Sequence, residues 1–312
     1  MENLPFSQSD RRPIIRHDAR LKRGSNILIA HTDAGRVEAA EAIRGTRHVC
    51  PNCLSEVILK RGRIVIAHFA HKPPVECDWA RGETLAHMEA KRIIAESFVS
   101  RGLRAEIEWP VPTLPSHRRA DVMVWNDRGD SVAVELQHTA IDLDEIEARA
   151  FSYAGAGIAQ IWIPFLSDQI WDEADAVKKP DGRSEYFVRR YPARPFERWI
   201  HGFNFGLVPY FDPTSKVLWF GSMEGHWISG DGSTWYDQWG QEQYSAGYNR
   251  WSKRWRELTL VGPYQPKEIR ILPKRRTAKS LGHYHWPGGW YIEPYVPRER
   301  RPETPTVGSG PT

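Results

Sequence analysis

The chain has 312 residues, 40% of them hydrophobic, and carries 43 Lys and Arg against 39 Asp and Glu for a net charge of +4. That length supports two or three packed modules. No apolar run reaches the length of a membrane span, and MENLPFSQSD lacks a signal core, so a soluble, cytoplasmic chain with no membrane partner is expected. The near balance of charge is no nucleic-acid signature by itself, and three cysteines argue against a disulfide framework.

Residues 1–24 are basic and polar (Arg11, Arg12, Arg16, Arg20, Lys22, Arg23) and read as a flexible arm. A small module follows over 25–80. Its first strand is NILIA, at 26–30, and VILKRGRIVIAHFAH makes a hairpin turning at Arg61 and Gly62. Cys50 and Cys53, in CPNC, can offer two thiolates to one Zn²⁺, and Cys77 is a third sulfur. His68 and His71 point to opposite faces if the strand persists, so only one can be the fourth ligand. His71, nearer the loop to Cys77, is the choice, with His68 the alternative. The competing reading is metal-free thiols, with the histidines in packing or DNA contacts.

Residues 81–166 alternate helix, strand, strand, helix, strand. In GETLAHMEAKRIIAESF, a helix at 100° per residue puts Glu83, His87 and Lys91 on one stripe, continued by Ala90, Ile94 and Phe98. Ionisable groups that abut an apolar stripe line a cleft, whereas a slightly rotated helix would simply wet them. RRADVMVWNDRGDSVAVELQH then forms a hairpin, with NDRGD as its turn. With Trp125 opposite Ser131, Asp121 falls across from Glu135, and Gln137 shares Glu135's face. Facing carboxylates repel. Either a hard cation such as Mg²⁺ or Mn²⁺ sits between them, or that face is solvated. The next helix opens at Asp142, with Glu145 completing a capping box, places Arg149 and Tyr153 one turn apart, and stops at Gly155 and Gly157. QIWIPF is a buried strand.

From 167 to 296 the chain is rich in Trp, Tyr, Gly and Pro, and LVPYFDPTSKVLWFG is a hairpin turning at Asp212 and Pro213. Trp251 and Trp255, with Arg250 and Arg254, sit at helical spacing. Lys267, Arg270, Lys274, Arg275, Arg276 and Lys279 form a basic cluster. Large aromatics fill thin cores, but beside basic residues they also stack single-stranded nucleic acid. A protein partner is equally open for this half. Residues 297–312 read as a disordered tail.

The order and spacing of these motifs resemble the competence protein CoiA-like family, a branch of the PD-(D/E)xK nuclease superfamily. The matching residues are CPNC at 50–53, HFAH at 68–71, Gly82, Glu83, His87 and Lys91, RADV at 119–122, ELQ at 135–137, Arg149 and Tyr153, and IWI at 161–163. The resemblance implies an α/β fold with a restriction-endonuclease-like core at 81–166. That core lies between the zinc-binding module and an aromatic-rich, mainly β accessory region. It further implies a Mg²⁺- or Mn²⁺-dependent deoxyribonuclease in competence, recombination or defence, with DNA as partner and Asp121 and Glu135 as metal ligands. Gln137 stands where the superfamily usually has lysine. Lys91, as a phosphate contact, or a second metal helped by Glu83 would replace that charge; His87 would handle protons or hydrogen-bond a carboxylate, Arg149 would bind phosphate or orient Glu135, and Tyr153 and Arg119 would meet phosphate. The alternative is a non-cleaving nucleic-acid- or partner-binding protein on the same fold.

Overall fold

The computed structural model describes residues 26–74, 77, 79, 83–113, 118–178 and 184–295. The arm expected over 1–24 and the tail over 297–312 lie outside them. The chain forms two compact units, Met1–Leu85 and Ala86–Thr312. It is a mixed α/β protein, mostly strand, with three α-helices among the described residues.

The first unit is a six-stranded sheet of short strands: β1 (Asn26–Ile27), β2 (Ile29–Thr32), β3 (Gly35–Glu38), β4 (His48–Val49), β5 (Glu56–Lys60) and β6 (His68–His71), in the order β1-β6-β5-β4-β2-β3. The expected NILIA strand is thus two strands, β1 on β6 and β2 on β3. Its buried core is small, built around Ile27, Ala30, Val57 and Phe69 with Cys50 and Cys77.

The second unit begins one residue into α1 (Leu85–Val99), followed by β7 (Arg104–Val111), β8 (Arg118–Trp125), β9 (Ser131–Gln137), α2 (Leu143–Gly155) and β10 (Ala159–Pro164). The sheet order is β10-β9-β8-β7, with β10 parallel to β9 and the rest antiparallel. The β8–β9 turn forms because Asn126 Oδ1 accepts from the backbone of Arg128 and Asp130, at 3.0 and 2.9 Å, and Gly129 takes φ +84°. Valines on both sides fill the ladder, and Trp125 pairs with Ser131 as the sequence predicts. Asp142 sits at the α2 N-cap position, but its side chain makes no cap bond. The expected capping box fails because Glu145 is taken by Arg149 Nε at 2.7 Å, a charge-assisted bond.

The rest of the chain adds β11 (Asp175–Lys178), β12 (Ser184–Tyr191), α3 (Pro195–Phe203), β13 (Val208–Asp212), β14 (Val217–Gly230), β15 (Ser233–Tyr236), β16 (Glu242–Ser245), β17 (Tyr248–Tyr264), β18 (Ile269–Pro273), β19 (Ser280–Leu281), β20 (Tyr284–His285) and β21 (Trp290–Pro294). A five-stranded sheet runs β11-β12-β17-β14-β13. Trp251 and Trp255 therefore lie on a strand, not on the helix their spacing suggests. One apolar cluster links α2 and β10 to α3 and this sheet, through Ile146, Trp162, Trp199, Phe203 and Trp219. Trp162 meets Trp199 edge-on at 6.1 Å. Among the described residues, no helix is long and apolar enough to cross a membrane.

Candidate active site and metal-ligand cluster

Three neighbouring strands each bring one carboxylate to the same level of the four-stranded sheet. The β7–β8 ladder pairs Ile107 with Val122 and Trp109 with Ala120, skipping Glu108 and Asp121. The β8–β9 ladder ends at Val122 and Val134, one step short of Asp121 and Glu135. Glu108 has φ +49°, a left-handed conformation a glutamate rarely adopts. That twist breaks the alternation of β7, so that Ile107 and Glu108 are both buried. All three acids are at most 8% exposed.

Buried acids need cations, and α1, α2 and β8 supply them. Lys91, fully buried on α1, places Nζ 3.0 Å from Asp121 Oδ1 and 3.3 Å from Glu108 Oε1. Arg119 Nη1 lies 3.7 Å from the other Glu108 oxygen. Asp121 Oδ2 accepts from the Leu136 backbone N–H at 2.9 Å, replacing the missing ladder bond, and lies 3.2 Å from His87 Nε2. An ionised carboxylate only accepts, so this nitrogen carries the proton. Glu135 accepts from the Tyr153 hydroxyl at 2.7 Å and has Arg149 Nη1 at 3.6 Å.

These surroundings split the pair electrostatically. For Asp121, burial would raise the pKa, but Lys91, then His87 and the Leu136 N–H, hold the carboxyl well below its usual range. For Glu135, burial comes first and the neighbouring Asp121 charge second. They outweigh Arg149, Tyr153 and Lys91 and push it up to about 7. By linkage, a carboxyl raised from 4.5 to about 7 favours the fold when protonated. Its contribution to the stability of cation-free protein is lost progressively as pH rises through that window. Chemical denaturation across pH should show this decline, and Mn²⁺ should stabilise more above pH 7 than below pH 5. Equal Mn²⁺ stabilisation at both ends would contradict it.

In the first unit, Cys50, Cys53, His71 and Cys77 bring four ligand atoms within 4.8 Å of one another, a cluster that could hold a metal ion. Cys50 Sγ is 3.7 Å from Cys77 Sγ, and Cys53 Sγ is 3.4 Å from His71 Nε2. His68 instead turns Nδ1 to its own strand, 2.9 Å from Ile66 O. Burial pushes the Cys50 thiol up to about 12, aided by the Cys77 charge. Burial would raise Cys53 too, but hydrogen bonds from Ser55, Cys50 and His71 bring it down to about 6. Cys53 thus ionises more readily than Cys50.

Two family models match the chain: the N-terminal domain of competence protein CoiA over residues 32–80, and the nuclease-like domain of competence protein CoiA over residues 83–195. The chain belongs to the CoiA-like family. No curated protein and no solved structure matches it.

The CoiA nuclease-like region contains the whole row of acids. It brings together Lys91, His87, Asp121, Glu135, Arg149 and Tyr153, with Arg119 at its Glu108 end. Glu83, its first matched residue, is buried and lies in the chain's first compact unit. Gln137 is not drawn in: its Nε2 donates to Thr139 O at 2.8 Å. Two residues escape sequence reasoning. Glu108 reads as an outward partner of Glu106 in an alternating strand. His138, whose ring centre is 4.3 Å from that of His87, follows the ELQ motif without any signal of its own.

Proposed function

We propose that the second unit is a divalent-cation-dependent deoxyribonuclease on a restriction-endonuclease-like core, and that Cys50, Cys53, His71 and Cys77 hold a structural Zn²⁺. The observation that carries the nuclease reading is Glu135, a buried carboxyl facing the Asp121 charge inside a nuclease-like domain. Such a pair fits a Mg²⁺ or Mn²⁺ ion, whose charge relieves the repulsion. When bound, the ion supplies Lewis acidity to the scissile phosphate and acidifies a water for in-line attack.

The chain's own residues set up that chemistry. Lys91 stands in for the lysine absent at Gln137, but from α1, and its enclosed position suits holding Asp121 ionised and oriented more than touching phosphate. His87 fixes the other Asp121 oxygen. Arg149 and Tyr153 orient Glu135 in the same way. Outer-sphere partners of this kind tune metal ligands. Three thiols and one imidazole are the donor set of closed, tetrahedral zinc sites.

The test is purified protein with Mg²⁺ or Mn²⁺ on single-stranded, duplex and branched DNA, with RNA alongside. Cleavage that needs added Mg²⁺ or Mn²⁺ is expected, and no cutting of any substrate would refute the reading. The turn of Gln137 toward Thr139 favours one alternative, a binding protein on a nuclease-like platform. Gel-shift binding without cleavage under any divalent cation would select it.

A further inference from the structure

We propose that the outer half of the β14–β17 hairpin is a docking track for single-stranded nucleic acid. The proposal rests on reading the second unit as nuclease-like. β13 pairs with β14 only as far as Gly221, and β12 with β17 only as far as Arg256. Beyond those points β14 and β17 continue alone as a two-stranded ribbon, pairing Trp227 with Trp251 and Gly230 with Tyr248. Apart from His226 and Ser252, which are buried at its base, this ribbon fills no core. Yet residues 227–251 hold seven exposed aromatics, including Trp239 at 77%, Trp251 at 63% and Trp227 at 49%, and not one exposed large aliphatic.

Part of this is structural. Trp227 and Trp251 meet edge-on at 4.9 Å, a cross-strand pair that steadies a ribbon marginal on its own. The Trp251 ring covers Gly225 and the Tyr248 ring covers Gly230, where a Cβ would sit 2.9 and 2.5 Å from ring carbons. The glycines let the rings lie down on the neighbouring strand. Pairing explains where the rings sit, not why they stay open to solvent on both faces.

The charges complete the pattern. Along residues 248–256 of β17, Arg250, Lys253 and Arg254 are exposed and there is no acid. Arg250 lies over the Tyr248 ring at 5.2 Å, and Arg254 over the Trp255 ring at 4.4 Å. The tip acids lie off this strand. Asp237 is occupied there, accepting from the backbone of Trp239 and Gln241 at 2.9 and 3.0 Å. Flat rings beside cations that carry no acidic partner on their strand suit unpaired bases on a phosphate chain. Exposed aliphatics, which an apolar protein partner would favour, are missing.

The test measures binding of a fluorescein-labelled oligothymidylate to the full chain in buffer without added Mg²⁺ or Mn²⁺, where no cleavage competes and the cysteine cluster keeps its metal. Trp227→Ala with Trp251→Ala should weaken binding by about tenfold or more, the range of one or two lost base stacks. Arg250→Gln with Lys253→Gln and Arg254→Gln leaves the ring pairs in place. It should lower the slope of log affinity against log salt by about two, as loss of three phosphate contacts on a single strand requires. Wild-type affinity and salt slope in both variants would overturn the proposal. So would a wild type that binds no oligothymidylate, or that binds a duplex of equal length more tightly. Ribbon-dependent binding without cleavage would remove the nuclease reading and leave the track standing, and cleavage with ribbon-independent binding would do the reverse.

Discussion

Replacing Lys91 with methionine is expected to destabilise the second unit by about 3–5 kcal/mol, the cost of breaking a buried ion network from one side. The ammonium sits between Glu108 and Asp121 with no exposure to water. Without it, two buried carboxylates lose their nearest cation, and Asp121 keeps only His87 and the Leu136 N–H. The Asp121 carboxyl is held low chiefly by Lys91, so it should titrate higher in the variant. A depressed carboxyl stabilises the fold above its unfolded pKa, and that stability disappears as pH falls through the folded value. The deficit of the variant should therefore be largest near neutrality and shrink in acid. Adding Glu108→Gln should recover much of the loss, because the second change removes one stranded charge. Urea titrations of the two single variants and the double variant form the cycle. A loss below about 1 kcal/mol for Lys91→Met would mean that the network is not what holds these acids in the core.

The second large effect is expected in the first unit. Its strands are two to five residues long and its buried core is small. Small modules of this kind lean on a metal or disulfides for stability. Cys50 is fully buried and faces Cys77 at 3.7 Å, so its sulfur belongs to the cluster and to the core at once. Structural Zn²⁺ in small folds contributes on the order of 10 kcal/mol of apparent binding energy to folding. Cys50→Ser, or a strong chelator, should therefore unfold the first unit and leave the second folded. Zinc content should fall from near one per chain to near zero. Amide exchange should become fast across residues 26–74 and stay slow in β8, β9 and β14. His68→Ala should change neither readout, since His68 turns to Ile66 O. Unchanged exchange in the first unit after metal removal would contradict a structural role.

Much of this site is legible in the sequence, for identifiable reasons. Alternating valines and the Asn126–Gly129 turn chemistry leave one register for the β8–β9 hairpin, and with it the level of Asp121 and Glu135. The four cluster ligands are legible because thiols and an imidazole at such spacing have few other roles. Glu108 is not legible. In RAEIEWPV the acids alternate with apolar residues, so both should face water, and only a left-handed backbone at Glu108 turns it inward. Nothing in the residue type announces that conformation. Trp251 and Trp255 mislead for a different reason: a spacing of four falls on one side of a helix and also on one side of a strand. The change of texture near residue 166 marks a change of composition, while the apolar cluster runs on from Trp162 to Trp199 and Trp219.

Asp121 and Glu135 are proposed to form a cation-dependent phosphodiester-cleaving pair. Glu135→Gln tests it most directly. It keeps the shape of the side chain and the Tyr153 hydroxyl within reach, but removes the charge a cation needs. Single-turnover cleavage of DNA with Mn²⁺, wild type beside Glu135→Gln, should show a drop of about 100-fold or more, since losing even an outer-sphere partner of a metal ligand costs about 10–100-fold and Glu135 would hold the ion itself. Thermal stability above pH 7 should be kept or raised, because the buried charge is gone. Cleavage by Glu135→Gln at the wild-type rate would contradict the account.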